Sequence, residues 1–157
     1  MSGPAAPPLV RVWREPWADA DVALPAYATQ GSAGADLRVC FPDRQGRVLD
    51  AGSRALVPTG LRVAVPPGWE MQVRPRSGLA LKHGILIPNS PGTVDADYRG
   101  PLSIIVMNAG DAAFDLDHGM RIAQAVLAPA PQARWQLVER LDGTARGTGG
   151  FGHTGTR

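Results

Sequence analysis

Proline and glycine punctuate this chain from end to end. Fifteen prolines and nineteen glycines are spread over 157 residues and not gathered into one linker, and they cut the apolar stretches into pieces too short for ordinary helices. What survives between them has a period of two. Leu61, Val63 and Val65 alternate with Arg62 and Ala64, the chain turns at Pro66-Pro67-Gly68, and Trp69, Met71 and Val73 alternate with Glu70 and Gln72. Such alternation makes half-buried strands, so two adjacent strands are expected here. Further short apolar runs stand at Ile85 to Ile87, Leu102 to Met107, Ala112 to Leu116, Ile122 to Leu127 and Trp135 to Val138, separated by NSPG, NAGD and PAPQ. From Leu9, LVRVWRE adds a short alternating strand, at a sheet edge or shared with another subunit. Ser77 to Lys82 alone suggests a short helix, weakened by Gly78. The expected fold is all-β, a sandwich or jelly-roll-like domain that buries its strands between two faces.

A chain of this length supports one domain over 1–157, and folding typically buries about 70% of the extended surface. Residues 1–8 read as a disordered leader rich in Pro and Ala. Sixteen Lys plus Arg against fourteen Asp plus Glu leave a formal charge of +2, a small basic excess that argues against nucleic acid as a main partner. Cys40 stands alone and is expected to be a small buried residue. No apolar run approaches the roughly 18 residues needed to span a bilayer, so no membrane partner and a cytoplasmic location are expected.

The chemistry must lie in the polar, glycine-containing turns. Asp36 in GSAGADL is either a turn acceptor or a metal-associated acid. In NSPGTVDADYRG, Pro91-Gly92 is expected to form a tight turn. In extended chain Asp95 and Asp97 would point to one side, as a water-activating or metal-assisted site or as a solvent-facing pair. His83 and His118 are candidate bases or ordinary turn histidines. HExxH, CxxC, GxxxxGK and GxSxG are missing, so zinc hydrolase, P-loop and serine hydrolase readings lose their signatures. The tail ARGTGGFGHTGTR combines backbone N–H groups left accessible by glycine, the donor fork of Arg146 and one flat side chain, Phe151. Such a tail is either plainly disordered or an arm that orders over a phosphorylated aromatic ligand and excludes water.

Five segments in order resemble the motifs of the trimeric deoxyuridine triphosphatase (dUTPase) family, from about Leu9 to Thr154. They are SAGADL, PRSGLA, GTVDADYRG with the preceding Asn89, GMRIAQAV and RGTGGFGHTG. The resemblance implies hydrolysis of dUTP to dUMP and pyrophosphate in a β-clip, jelly-roll-like homotrimer. Each site would be shared between chains, and a mobile arm, residues 143–157, would close over it. Asp95 matches the catalytic carboxylate that activates water for attack on the α-phosphorus. Asp36 matches the acid that holds the waters of a triphosphate-bound Mg2+, an outer-sphere role. The hairpin from Asn89, with Gly92, Thr93 and Val94, would read uracil through its backbone and reject the cytosine amino group. Tyr98 would pack beneath deoxyribose and exclude a 2′-hydroxyl. Arg76, Ser77, Gly78 and Gln124 match phosphate-binding residues. Arg146 would grip the terminal phosphate, Gly150 and Gly152 would contact the substrate, and Phe151 would stack on uracil.

Three positions depart from the family pattern. His153 stands for a usual serine, Met120 for a usual aspartate, and Pro101 where an acid is common. Pro101 should constrain a strand start and remove one backbone donor. The alternatives are a dCTP deaminase, including the bifunctional kind that also hydrolyses dUTP, a nucleotide-binding module without turnover, and a purely structural β-module.

Overall fold

The computed structural model describes residues 6–150. In chain order these form β1 (Arg11–Arg14), β2 (Ala26–Tyr27), β3 (Ala35–Arg38), β4 (Arg47–Leu49), β5 (Arg54–Ala64), β6 (Trp69–Pro75), α1 (Ser77–His83), β7 (Ile85–Leu86), β8 (Gly92–Val94), β9 (Leu102–Asn108), β10 (Phe114–Leu116) and β11 (Arg121–Pro129). One sheet has the order β1-β5-β9-β7, a second the order β2-β3-β11-β6-β8, and β10 pairs with β4 in a separate ribbon.

Period-two patterning builds the core. Leu102, Ile104 and Val106 of β9 turn inward while Ser103, Ile105 and Met107 do not. Leu61 and Val63 of β5 do the same. Val63, Leu102, Ile104 and Val106 join Leu37, Met71, Val73, Ala123 and Ala125 of the second sheet in one cluster, with Leu49 and Leu116 closing it from the ribbon. Cys40 is buried, as its apolar setting implies. The expected helix is present as α1 and ends at Gly84, whose N–H bonds back to Ala80 O at 3.1 Å.

Three sequence expectations are corrected. The alternating runs at 61–65 and 69–73 are strands, but not a hairpin: β5 pairs with β1 and β9, and β6 with β11 and β8, so Pro66-Pro67-Gly68 carries the chain from one sheet to the other. Trp135 to Val138 forms no strand. Trp135 and Leu137 are 95% and 100% exposed, because alternation selects a face but supplies no partner edge, and Pro129 and Pro131 end the ladder with β6. The tight turn near the third motif lies at Ile87–Ser90, closed by Ser90 N–H to Ile87 O at 2.9 Å. Pro91 follows a cis peptide and Gly92 is already in β8.

The second sheet sets the geometry of the functional residues. β6 lies between β8 and β11, with Val73 opposite Gly92 and Arg74 opposite Gln124. β3 flanks β11 on the far side, with Asp36 opposite Gln124. The third motif and the first are therefore three strand steps apart, about 14 Å at roughly 4.8 Å per step.

Candidate active site

The third motif walls one cleft of about 410 Å³, with Asn89, Gly92, Thr93, Val94, Asp95 and Tyr98 along it. β8 stops at Val94, and Tyr98 N–H then bonds Asp95 O at 3.2 Å. The chain turns there, so the extended-strand expectation for Asp95 and Asp97 does not apply. Asp95 is exposed on the cleft, whereas Asp97 lies outside it in a neighbouring groove. The Tyr98 ring is exposed, and its hydroxyl donates to Pro101 O at 3.0 Å. A Cβ added at Gly100 would stand 2.6 Å from Tyr98 Cζ, so the ring's position depends on that glycine. Pro101 immediately precedes β9, where a missing N–H interrupts no ladder.

A second cleft, about 530 Å³, gathers the phosphate candidates: Arg76, Ser77 and Gly78 where β6 passes into α1, Gln124 from β11 and Asp36 from β3. The first turn of a helix leaves amide N–H groups unpaired. No side chain caps α1 and no acid lies in its first turn, which suits an anion. Gln124 Nε2 donates to Pro75 O at 2.9 Å, and a β-carbon at Gly34 would collide with the Gln124 carboxamide, so this glycine lets the first motif lie against the fourth.

Asp36 is not a turn acceptor. Its Oδ1 lies 3.1 Å from Arg76 Nε and its Oδ2 accepts from Arg121 Nη1 at 3.0 Å. Among the described residues no group of three or more His, Cys, Asp or Glu is placed to hold a metal ion. A single carboxylate, already held by two guanidinium groups, makes no protein cage; a magnesium ion here would have to keep its waters and take its other oxygens from phosphate.

The two clefts share no lining residue. Arg146 lines neither; its Nε donates to Gly149 O at 2.9 Å within its own turn, and Gly150 is half-buried nearby in sequence. Phe151, Gly152 and His153 lie outside the described residues. His118 sits in neither of the two clefts: its Nδ1 accepts Phe41 N–H at 3.1 Å and its Nε2 lies 3.2 Å from Asp19 Oδ2. The Asp21 N–H, followed by the hydrogen bond to His118 and the charge of Arg44, holds the Asp19 carboxyl below its ordinary range. His83 borders the second cleft with Lys82. Met120 packs against the core instead of bearing a charge. The sequence reading assigned no role to Arg121, although it stands in the fourth motif three residues before Gln124.

These features have close counterparts. The family model described as dUTPase matches residues 20–155. The deoxyuridine 5′-triphosphate nucleotidohydrolase of Dinoroseobacter shibae is 58% identical over 150 residues, covering 94% of this chain and 97% of that protein. The protein of the same name from Roseobacter denitrificans is 61% identical over 139 residues, covering 88% and 90%. The solved dUTPase of Staphylococcus bacteriophage 80alpha with dUPNHPP has the same fold, with a TM-score of 0.82 at 23% identity over 94% of this chain and 99% of that one. With its motifs in family order and such relatives along nearly its whole length, the chain belongs to the dUTPase family.

Proposed function

We propose that the dUTPase-type hydrolysis of this chain runs by in-line attack of water on the α-phosphorus of dUTP, giving dUMP and pyrophosphate, at sites shared among three copies of the chain. The observation that carries the reading is the division of the motif residues by chemistry into two clefts. One has apolar walls, a hydrogen-bonded tyrosine and an exposed carboxylate; the other is lined by arginines, glutamine and the start of a helix.

In the first cleft, backbone groups of the hairpin at Asn89 pair with the Watson–Crick edge of uracil. A cytosine there leaves buried groups unpaired, at about 1–3 kcal/mol each. Tyr98, pinned by Pro101 O, packs under deoxyribose and leaves no room for a 2′-hydroxyl. Asp95 takes the proton of the attacking water and orients its lone pair. Arg76, Ser77, Gly78 and Gln124 hold phosphate oxygens, Arg146 grips the terminal phosphate, and Phe151 covers the base. Mg2+ bound to the triphosphate would supply charge neutralisation for the leaving pyrophosphate, with Asp36 holding its waters.

Two observations support sharing between copies. The clefts have no lining residue in common, and the segment leading to the tail leaves Trp135, Leu137 and Leu141 at 95%, 100% and 83% exposure. Burying each on a neighbouring chain gains about 1.5–3 kcal/mol.

The test is pyrophosphate release from dUTP with Mg2+, with dCTP, dTTP and UTP in parallel and the association state read by sedimentation. Turnover confined to dUTP by a trimer is the expected result. Conversion of dCTP to a uracil product would point to the deaminase branch, and tight dUTP binding without release to a nucleotide-binding role. Full turnover by a monomer would refute the shared site.

A further inference from the structure

The fourth motif carries a β-bulge whose consequence lies in the phosphate cleft. Along β11 the burial runs exposed at Arg121, buried at both Ile122 and Ala123, half-buried at Gln124 and buried again at Ala125. Two consecutive inward residues break period two, and the register with β3 shifts between Arg121 and Ala123. In an unbroken strand Arg121 would share the face of Ala123 and Ala125, which is the core. The bulge absorbs one residue and turns Arg121, which stands opposite Arg38, onto the face shared by Gln124 and the Asp36 opposite Gln124. There the guanidinium meets Asp36 Oδ2 at 3.0 Å, while Arg76 Nε holds Oδ1 at 3.1 Å and Arg76 Nη1 reaches Arg121 O at 3.3 Å.

Arg76 has two claims on it. In this structure it pairs with Asp36; in the proposed reaction it binds phosphate oxygens. Asp36 is needed there too, with an oxygen free to accept from water. Both demands are met if Arg76 leaves Oδ1 for the triphosphate while a second cation keeps Oδ2 in place and balances the carboxylate's charge.

We propose that Arg121 is that cation: a positioning residue, turned into the cleft by the bulge, that anchors Asp36 through Oδ2 when Arg76 transfers from Oδ1 to the incoming triphosphate. This rests on the dUTP-hydrolysing reading above. Arg121 acts through Asp36 and needs no contact with the nucleotide. Its fork of donors suits the task because the guanidinium stays charged and holds its partner's plane, which a lysine ammonium does not.

The experiment uses the full-length chain and the non-hydrolysable probe dUpNHpp, with binding followed by calorimetry as Mg2+ is titrated and dUMP as the control ligand. Arg121→Gln removes a charge-assisted hydrogen bond and is expected to raise the Mg2+ concentration for half-maximal dUpNHpp binding about tenfold, with dUMP affinity unchanged. Arg121→Lys should fall between it and wild type. In an Asp36→Asn background Arg121→Gln should add little, because both changes remove one pair. A Mg2+ dependence in Arg121→Gln equal to that of wild type, or a full effect persisting in the Asp36→Asn background, would overturn the role of Arg121 alone. Wild-type protein that binds dUpNHpp no better than dUMP at any Mg2+ concentration would overturn the underlying triphosphate reading, and this inference with it.

Discussion

Replacing Asp95 by asparagine is expected to separate catalysis from folding in this chain. The side chain is exposed at the end of β8, and none of the ion pairs among the described residues involves it. The backbone turn that places it, Tyr98 N–H to Asp95 O at 3.2 Å, is unaffected by an isosteric change. Stability should therefore move by no more than about 0.5 kcal/mol, the usual range for a surface substitution. At roughly 2–4 °C per kcal/mol for a domain of this size, the melting midpoint shifts by about 2 °C at most. Turnover should behave differently. A positioned general base contributes about 10²- to 10⁴-fold, which is about 2.7–5.5 kcal/mol of barrier. Binding should survive, since removing a negative charge beside a polyanion does not weaken the complex. Three measurements on one preparation are needed: thermal unfolding, dUpNHpp affinity, and kcat from pyrophosphate release. Expected are an unchanged midpoint, an affinity within a few-fold of wild type, and the large loss in kcat. A variant that binds the analogue and turns over dUTP within about threefold of wild type would show that Asp95 is not the base, because the predicted loss is at least about a hundredfold.

Further perturbations probe the surroundings. Gly100→Ala drives a methyl into the Tyr98 ring, so the ring must shift on the cleft and kcat/KM for dUTP should fall, by up to about 100-fold for a displacement of about 1 Å; unchanged kcat/KM with the fold intact would mean that the ring's position is not set by this glycine. Among the described residues the buried core runs from Leu37 to Ala125, so removing Arg146 to Arg157 should leave unfolding unaffected while triphosphate turnover collapses; an undiminished rate would remove the tail from the mechanism. Asp19 provides a pH signature. Its carboxyl is held below the ordinary range by the Asp21 N–H, then by His118 and Arg44. A depressed folded pKa gives stabilisation that is complete above the unfolded value near pH 4, roughly, and is lost as the pH falls through the lower folded value. Wild type should thus lose stability on acidification more steeply than Asp19→Asn, with the two curves converging at the acid end; parallel curves would contradict the linkage.

How far the sequence goes depends on what its periodicities encode. Period two identifies which side chains turn inward, and Leu61, Val63, Met71, Val73, Ile104 and Val106 are buried on that basis. It carries no information about the partner strand, so the runs on either side of Pro66-Pro67-Gly68 read as neighbours although they belong to different sheets. The same gap explains Trp135 to Val138, an alternating segment with its apolar side chains in solvent. Strands of two or three residues, such as β2, β4 and β8, are too short to show a period at all.

The site divides in the same way. Asp36, Arg76, Ser77, Gly78 and Gln124 meet in one cleft, and Asn89, Gly92, Thr93, Val94, Asp95 and Tyr98 in another, because each group sits on short segments whose local order fixes its relations. Arg121 was invisible for a definite reason. Counted back from Gln124, an unbroken strand sends residue 121 to the opposite face, and only the bulge between Arg121 and Ala123 reverses that. The apolar pair Ile122 and Ala123, both inward, is the trace a bulge leaves in sequence, yet it is identical to two ordinary residues of a strand buried on both faces. Telling those cases apart requires knowing that Gln124 faces polar surroundings, which is a statement about β3 and Pro75 and not about β11. A charged residue beside a doubled apolar step, in a strand whose other polar positions serve a site, is therefore a candidate for the site's own electrostatics; in this chain the geometry places it 3.0 Å from the carboxylate it would have to hold.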